Sequence, residues 1–206
     1  MLEKFELSHR THLVGLYSGT MAQDLAALAP ARLVPALRTP DGTIVGESVA
    51  MAETLAERHP TAGLWPADPA SRATARWLVA EMASGFSALR GECPMQLVRC
   101  WAGFEASDQV LGDLDRLETV WRHARAVSGS EQNYLFGDYC LADVFFTPVA
   151  ARIIGYGLPV SDHAQAYCAA LLDDPAVKVW RDAALKVTYS PEPYLQDLPH
   201  TPWPFA

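Results

Sequence analysis

The stretch LVPALRTPDGTIVGESVA, residues 33 to 50, carries the residue types best suited to chemistry. Pro35 lies inside what reads as a short strand, although proline cannot donate a ladder hydrogen bond. Glu47 and Ser48 then sit side by side where a strand gives way to a helix. Residue types alone leave two readings open. One is an edge-strand proline followed by an ordinary serine cap. The other is a strand tip and a helix entrance arranged around a ligand.

The four cysteines, Cys93, Cys100, Cys140 and Cys168, offer less. None forms a CxxC pair, and their spacing with the six histidines fits no zinc pattern, so neither a metal site nor a disulfide oxidoreductase is expected. They read as buried small hydrophobes in a reducing compartment. With 206 residues, 50% of them hydrophobic, the chain can bury a full core and is not a disordered one. A formal net charge of −8 with no basic run disfavours nucleic acid as a partner. The opening MLEKFELSHR lacks the pattern of a secretory signal. The longest apolar stretch, LADVFFTPVAARIIGYGLP, is interrupted by Asp143, Pro148 and Arg152 and makes a poor membrane span. A cytoplasmic protein with no membrane partner is expected.

The elements that must position these residues fall into two groups. Residues 9–17 have the content of a strand, and residues 19–30 read as a short helix ended by Pro30. RLVPAL and TIVGE are two strands separated by the turn Thr39-Pro40-Asp41-Gly42, and a helix follows from Ser48 with Val49, Ala52, Leu55 and Ala56 on one face. Residues 1–62 are therefore expected to form an α/β domain. Beyond a turn-rich linker the strands vanish, and residues 68–206 are expected to be all-helical. Residues 70–92 place Leu78, Met82, Phe86 and Leu89 on one helical stripe, and residues 108–127 do the same with Val110, Leu114, Leu117, Trp121 and Ala124. Residues 141–154 are apolar nearly all round, as at the centre of a bundle. Two more helices are predicted near 161–172 and 175–187, the second opened by Asp174-Pro175. The proline-rich tail from Tyr189 is expected to run extended over the surface.

This order resembles the cytosolic glutathione transferases, bacterial members in particular, over nearly the whole chain. Three stretches carry the resemblance. The first is Leu33-Val34-Pro35-Ala36-Leu37 followed by Glu47-Ser48-Val49-Ala50. The second runs from Ala80-Glu81-Met82 through Ser84-Gly85-Phe86 to Ala88-Leu89-Arg90. The third is Leu135-Phe136-Gly137-Asp138-Tyr139-Cys140-Leu141-Ala142-Asp143, which looks like the folding motif before the central bundle helix. The fold so implied is a thioredoxin-like domain, incomplete at its N-terminal side, followed by a helical bundle. The resemblance implies a cis Val34–Pro35 bond and a glutathione site made by Leu33, Val34, Pro35, Glu47 and Ser48. In it the backbone before the proline meets the cysteinyl part of glutathione, Glu47 pairs with the ammonium group, and Ser48 with the helix amides receives the γ-glutamyl carboxylate. In the third stretch position 140 is the N-cap and Asp143 is N3, with Tyr139 and Val144 at the staple positions. The family usually has serine or threonine at this cap, so Cys140, a weak acceptor, implies a cap weaker by about 1 kcal/mol.

In the family an earlier strand and helix supply the tyrosine, serine or cysteine that acts on the glutathione thiol. Here MLEKF looks like the last turn of that helix and residues 9–17 like the second strand. The first strand and most of the first helix have no counterpart, so no catalytic residue is assigned; Tyr17 and Ser18 lie too late in the strand. Either Met1 is an internal methionine, which is the preferred reading, or the chain is a short form whose α/β half is rearranged or completed by another copy. Without that first strand residues 9–17 have no neighbour in the sheet. The expected activity is transfer of the thiolate of reduced glutathione, the co-substrate, to a small electrophile in an apolar pocket between the domains. Met82, Phe86, Arg90, Arg152 and Tyr156 are the candidate lining, no metal takes part, and a homodimer is expected. The alternatives are a non-catalytic module that binds glutathione or a small molecule, and an interaction protein using the fold for dimerisation.

Overall fold

The computed structural model describes residues 1–187 and 194–205. It divides into two compact units, Met1–Leu64 and Trp65–Ala206.

The first unit opens on one helical turn. The Leu7 N–H donates to the Leu2 carbonyl at 2.9 Å and the Glu6 N–H to the Glu3 carbonyl at 3.1 Å, with Glu6 at φ 52°. This pair of bonds around a left-handed residue is the Schellman ending of a helix, in keeping with the last-turn reading of MLEKF. Residues 9–17, expected as a strand, form none, and Leu13 is 89% exposed. Strand-forming side chains hold an extended segment only where a neighbour supplies the ladder, and among the described residues none lies beside this one. The single helix read over 19–30 is instead a short helix α1 (Met21–Asp24) and a separate 3₁₀ turn (Ala26–Leu28). No side chain caps α1, and so short a helix gains few bonds for its nucleation.

Strands β1 (Leu37–Arg38) and β2 (Ile44–Val45) pair antiparallel, Leu37 opposite Val45 and Arg38 opposite Ile44. They are shorter than RLVPAL and TIVGE suggest, because Pro35 has no N–H with which to prolong the ladder. The Gly42 N–H donates to the Thr39 carbonyl at 2.9 Å, with Pro40 second in the turn and Gly42 at φ 88°, a conformation that glycine takes without steric cost. The Asp41 carboxylate accepts from the Thr39 hydroxyl, from the Thr43 N–H at 3.2 Å and from Arg58 at the end of helix α2 (Ser48–Arg58). α2 buries Met51, Ala52 and Leu55. Val49 and Ala56 are only half-buried, so the inward face is rotated from the one expected.

The second unit contains helices α3 (Pro69–Ser84), α4 (Ser87–Glu92), α5 (Asp108–Ser128), α6 (Leu141–Tyr156), α7 (Asp162–Leu172) and α8 (Pro175–Ala184). The one helix expected over 70–92 is broken between α3 and α4. A Cβ on Gly85 would lie 2.8 Å from the Glu81 carbonyl oxygen, so only glycine fits there, and Phe86 follows at φ 55°. Leu78, Met82, Phe86 and Leu89 are buried across the break, and so is the whole predicted stripe of α5. Carboxylates on α5 also cap its neighbours. Asp113 accepts the Leu89 N–H at 2.9 Å, and Glu118 accepts both the N–H and the hydroxyl of Ser161, at 2.8 and 2.6 Å.

Helix α6 packs against α3 and α7 and is buried on nearly every side. Its first turn holds a fully buried carboxylate, Asp143, which accepts the Cys140 N–H and the Tyr167 hydroxyl, each at 2.8 Å. Burial pushes the Asp143 carboxyl up from its ordinary range, and these two bonds oppose that rise. Trp121 lies edge-on to both Phe146 and Tyr167, with ring centroids 5.5 and 5.0 Å apart.

The expectation of an all-helical second domain needs correction. Strand β3 (Arg99–Trp101) pairs antiparallel with β4 (His200–Pro202), Cys100 opposite Thr201. The tail is therefore tied down rather than merely extended over the surface, and Trp203 is buried beside Gly155. A ladder between segments so distant in sequence leaves no local periodicity to read. Residues 189–193 and 206 of that tail lie outside the described residues. Among the described residues no helix is long and apolar enough to cross a membrane.

Two outcomes follow from these contacts. Tyr167→Phe keeps the ring but strips the buried Asp143 of a donor, and is expected to lower unfolding free energy by about 2 kcal/mol in urea denaturation. The Thr39 hydroxyl, and after it Arg58, hold the Asp41 carboxyl well below its usual range. A depressed folded pKa stabilises above the unfolded value of about 3.9 and is lost as pH falls toward the folded one. The difference in melting temperature between wild type and Asp41→Asn is therefore expected to be greatest near neutral pH and to shrink below about pH 4. A difference that stays constant to pH 2 would show that the Asp41 charge plays no part.

Candidate functional site

Hairpin register sets the geometry around Glu47 and Ser48. The last pair of the ladder, Leu37 opposite Val45, lies two residues from Pro35 along one strand and two from Glu47 along the other. The Val34–Pro35 peptide is cis. Leu33 and Val34 are exposed, and among the described residues neither makes a backbone hydrogen bond. The tip therefore offers peptide donors and acceptors to whatever lies beside it.

Across the hairpin, Glu47 sits at φ 62° and ψ 125° in the N-cap position. Residues with a side chain seldom take that conformation, which costs about 1–3 kcal/mol. It is Glu47, not Ser48, that occupies the cap, so the ordinary serine-cap reading does not describe this helix. No side chain caps α2, which leaves the amides of Ser48, Val49 and Ala50 open. The Ser48 hydroxyl and the Glu47 carboxylate have no hydrogen-bond partner among the described residues. Open helix amides beside a hydroxyl suit an anion, and an exposed carboxylate one residue away suits a cation. Side by side, they match the charged end of an amino acid or peptide.

The other predicted residues lie in the second unit. Met82 and Phe86 are buried at the α3–α4 junction, and Phe86 occupies the left-handed N-cap of α4. Arg152 and Tyr156 lie one turn apart on α6. The Arg152 Nε donates to the Cys93 carbonyl at 2.9 Å, and the Tyr156 hydroxyl to the Pro94 carbonyl at 2.9 Å. Arg90 is exposed and folds back over the end of α3, its Nη1 donating to the Ala83 carbonyl at 3.0 Å. Arg90, Arg152 and Tyr156 thus gather around the end of α4. Sequence reasoning missed Cys93 and Pro94, because they contribute backbone carbonyls, for which residue type gives no signal.

None of the four thiols is an activated nucleophile. Burial pushes Cys93 and Cys168 up to about 12 and raises Cys100 and Cys140 as well, so all four remain protonated at neutral pH. Tyr156 is likewise pushed up to about 12 by burial. Among the described residues no group of three His, Cys, Asp or Glu side chains could hold a metal ion.

Comparison with known proteins shows what the chain resembles. A family model described as "Glutathione S-transferase, N-terminal domain" matches residues 1–58. A probable maleylacetoacetate isomerase of Caenorhabditis elegans is 31% identical over 167 residues, covering 79% of this chain and 74% of its own length. The maleylacetoacetate isomerase of Pseudomonas aeruginosa is 29% identical over 151 residues, which is 64% of this chain and 63% of that protein. Among solved structures, a glutathione transferase homologue from Burkholderia gl BGR1, with bound glutathione, superposes with a TM-score of 0.65. That pair shares 26% identity over 90% of this chain and 88% of the other.

Proposed function

Because this chain belongs to the glutathione S-transferase superfamily, we propose that its first unit binds reduced glutathione and that the protein presents the bound sulfur to a small electrophile. Its fold is that of the superfamily, a thioredoxin-like N-terminal domain followed by a helical C-terminal domain. The observation that carries the proposal is the uncapped start of α2, where among the described residues the Ser48 hydroxyl and Glu47 carboxylate stand without partners, on the hairpin whose other strand carries the Val34–Pro35 peptide. In this reading the α2 amides and Ser48 receive the γ-glutamyl carboxylate and Glu47 pairs with the ammonium group. The exposed Val34 backbone meets the cysteinyl backbone, and Leu33 and Pro35 shape the tip. The protein's own thiols are held protonated by burial, so the reacting sulfur is glutathione's. Met82, Phe86, Arg90, Arg152 and Tyr156 are proposed to face the electrophile, in a cytoplasmic homodimer.

Two chemistries fit such a sulfur. In transfer, a carbon–sulfur bond forms as a leaving group departs, and one glutathione is consumed per turnover. In isomerisation, the sulfur adds to a carbon–carbon double bond, the resulting single bond rotates, and the sulfur leaves again, so glutathione is returned. The 31% identity to a probable maleylacetoacetate isomerase favours the second as the reading to set beside transfer.

Titration calorimetry of reduced glutathione into the 206-residue protein is the direct test. Binding in the micromolar-to-millimolar range is expected, and no heat at several temperatures would remove the proposal. Ser48→Ala is expected to weaken binding by about 1–2 kcal/mol, roughly five- to thirtyfold, through one lost charge-assisted bond. An unchanged dissociation constant would exclude the hydroxyl from the site. The thiol titre during turnover separates the chemistries: it falls with product in transfer and holds steady in isomerisation. Binding with neither change identifies a non-catalytic module.

A further inference from the structure

We propose that the loop between α5 and α6 holds a small-molecule site of its own, a cavity that takes a primary alkylammonium group. This inference does not rest on the glutathione reading. The cavity has a volume of about 350 Å³ and is lined by Gln132, Asn133, Tyr134, Gly137, Asp138 and Tyr139. Such a volume is room for a small organic ion. Capping of α6 accounts for Cys140 and Asp143, which follow in the chain. It gives no task to Gln132, Asn133 or Asp138. All three are exposed, and among the described residues their side chains have no hydrogen-bond partner.

Bonds to its backbone hold the loop in shape. Arg125 donates from Nη1 to the Gln132 carbonyl at 2.6 Å and the Tyr134 carbonyl at 3.4 Å, and from Nη2 to the Asn133 carbonyl at 3.2 Å. The Ser128 hydroxyl donates to the Leu135 carbonyl at 2.9 Å. The Gly137 N–H donates to the Tyr134 carbonyl at 3.3 Å, with Gly137 at φ 91°. A loop tied at so many points loses little freedom when a ligand arrives. The same bonds decide what the ligand meets. Carbonyls of residues 132–134 are already engaged, so the acceptors left are the side-chain oxygens of Gln132, Asn133 and Asp138. The Arg125 charge is itself engaged by those carbonyls and by the Tyr167 ring, 5.8 Å away.

These oxygens and the two rings specify the ligand. An anion would meet the Asp138 carboxylate in a chain of net charge −8. A metal ion would find one carboxylate, and among the described residues no group of three His, Cys, Asp or Glu side chains could hold it. A primary ammonium has three donors and no acceptor, and this lining offers one carboxylate and two amide oxygens. Tyr134 and Tyr139 stand edge to face, their centroids 4.9 Å apart and their planes at 84°, so the wall includes an aromatic corner. Ring faces attract a cation as well. None of the exposed large apolar side chains of the described residues lies between Leu111 and Val179, so a lipid surface has nothing to grip here. The ammonium group is therefore that of a soluble amine.

The test uses n-butylammonium and its neutral isostere n-butanol, titrated at low salt into the isotope-labelled full chain while backbone amide shifts are followed. The ammonium probe is expected to move the amides of residues 132–139 saturably, with an affinity at least about fivefold above that of n-butanol. Asp138→Asn keeps the size of an exposed side chain. It is expected to lower ammonium affinity about three- to tenfold while leaving n-butanol within about twofold. Tyr134→Leu keeps apolar bulk but removes a ring face, and should weaken the ammonium probe about threefold. No saturable shift, equal affinity for the two probes, or an Asp138→Asn protein that matches wild type would each overturn the site. Shifts centred on Glu47 instead of the loop would overturn it too, by placing the amine at the hairpin. Loop shifts in a protein that takes up no glutathione would support this site while removing the glutathione function.

Discussion

The buried carboxylate of Asp143 is the constraint around which the helical unit is arranged. Helix α6 is apolar on nearly every side and must be covered by its neighbours, but hydrophobic burial alone is non-directional and would tolerate many rotations. A fully buried carboxylate allows far fewer, because an unpaired charge in that environment is very costly. The Cys140 N–H ties Asp143 to the start of its own helix, and the Tyr167 hydroxyl ties it to α7. Trp121 of α5 then closes on Tyr167 and Phe146, so one polar point sets the register of three helices. Cys140 fills the place usually taken by a hydroxyl, which puts more of the capping on the Asp143 side of the motif.

The first unit works in the opposite way, by leaving groups unmet. Its hairpin is only two residue pairs long, ended on one side by Pro35 and on the other by Glu47 in a costly backbone conformation. Beyond those pairs the peptide groups of Leu33 and Val34 and the first amides of α2 have no partner among the described residues. Asp41 ties the far end of the hairpin to Arg58, which secures the hairpin against α2 without using any group at the open end. Rigidity at one end and unsatisfied polarity at the other is the arrangement expected of a binding site, in which a ligand supplies the missing bonds.

Much of this was legible in residue order, for local reasons. The helical stripes of α3 to α6, the Asp174-Pro175 start of α8 and the placing of Cys140 and Asp143 all depend on neighbours within one or two turns. Pro35 and the Glu47-Ser48 pair marked the open end of the hairpin because their types conflict with the elements around them. Residues 9–17 misled for a related reason: their composition suits a strand, but a strand also needs a partner, which composition does not reveal. The break at Gly85 went unseen because the apolar stripe runs on across it, and β3 and β4 left no local trace.

What the sequence by itself determined is the set of elements, their inward faces and the residues at which polarity and local structure disagree, since these follow from spacing along one chain. Which groups at those points are satisfied was decided only by the tertiary structure. Asp143 finds Tyr167, Leu89 finds Asp113 and Arg152 finds the carbonyl of Cys93, each across a separation that carries no periodic signal. Among the described residues Ser48 and Glu47 find nothing. A hydrogen bond depends on distances of a few tenths of an ångström between atoms brought together by packing, and residue type records only the capacity to make one.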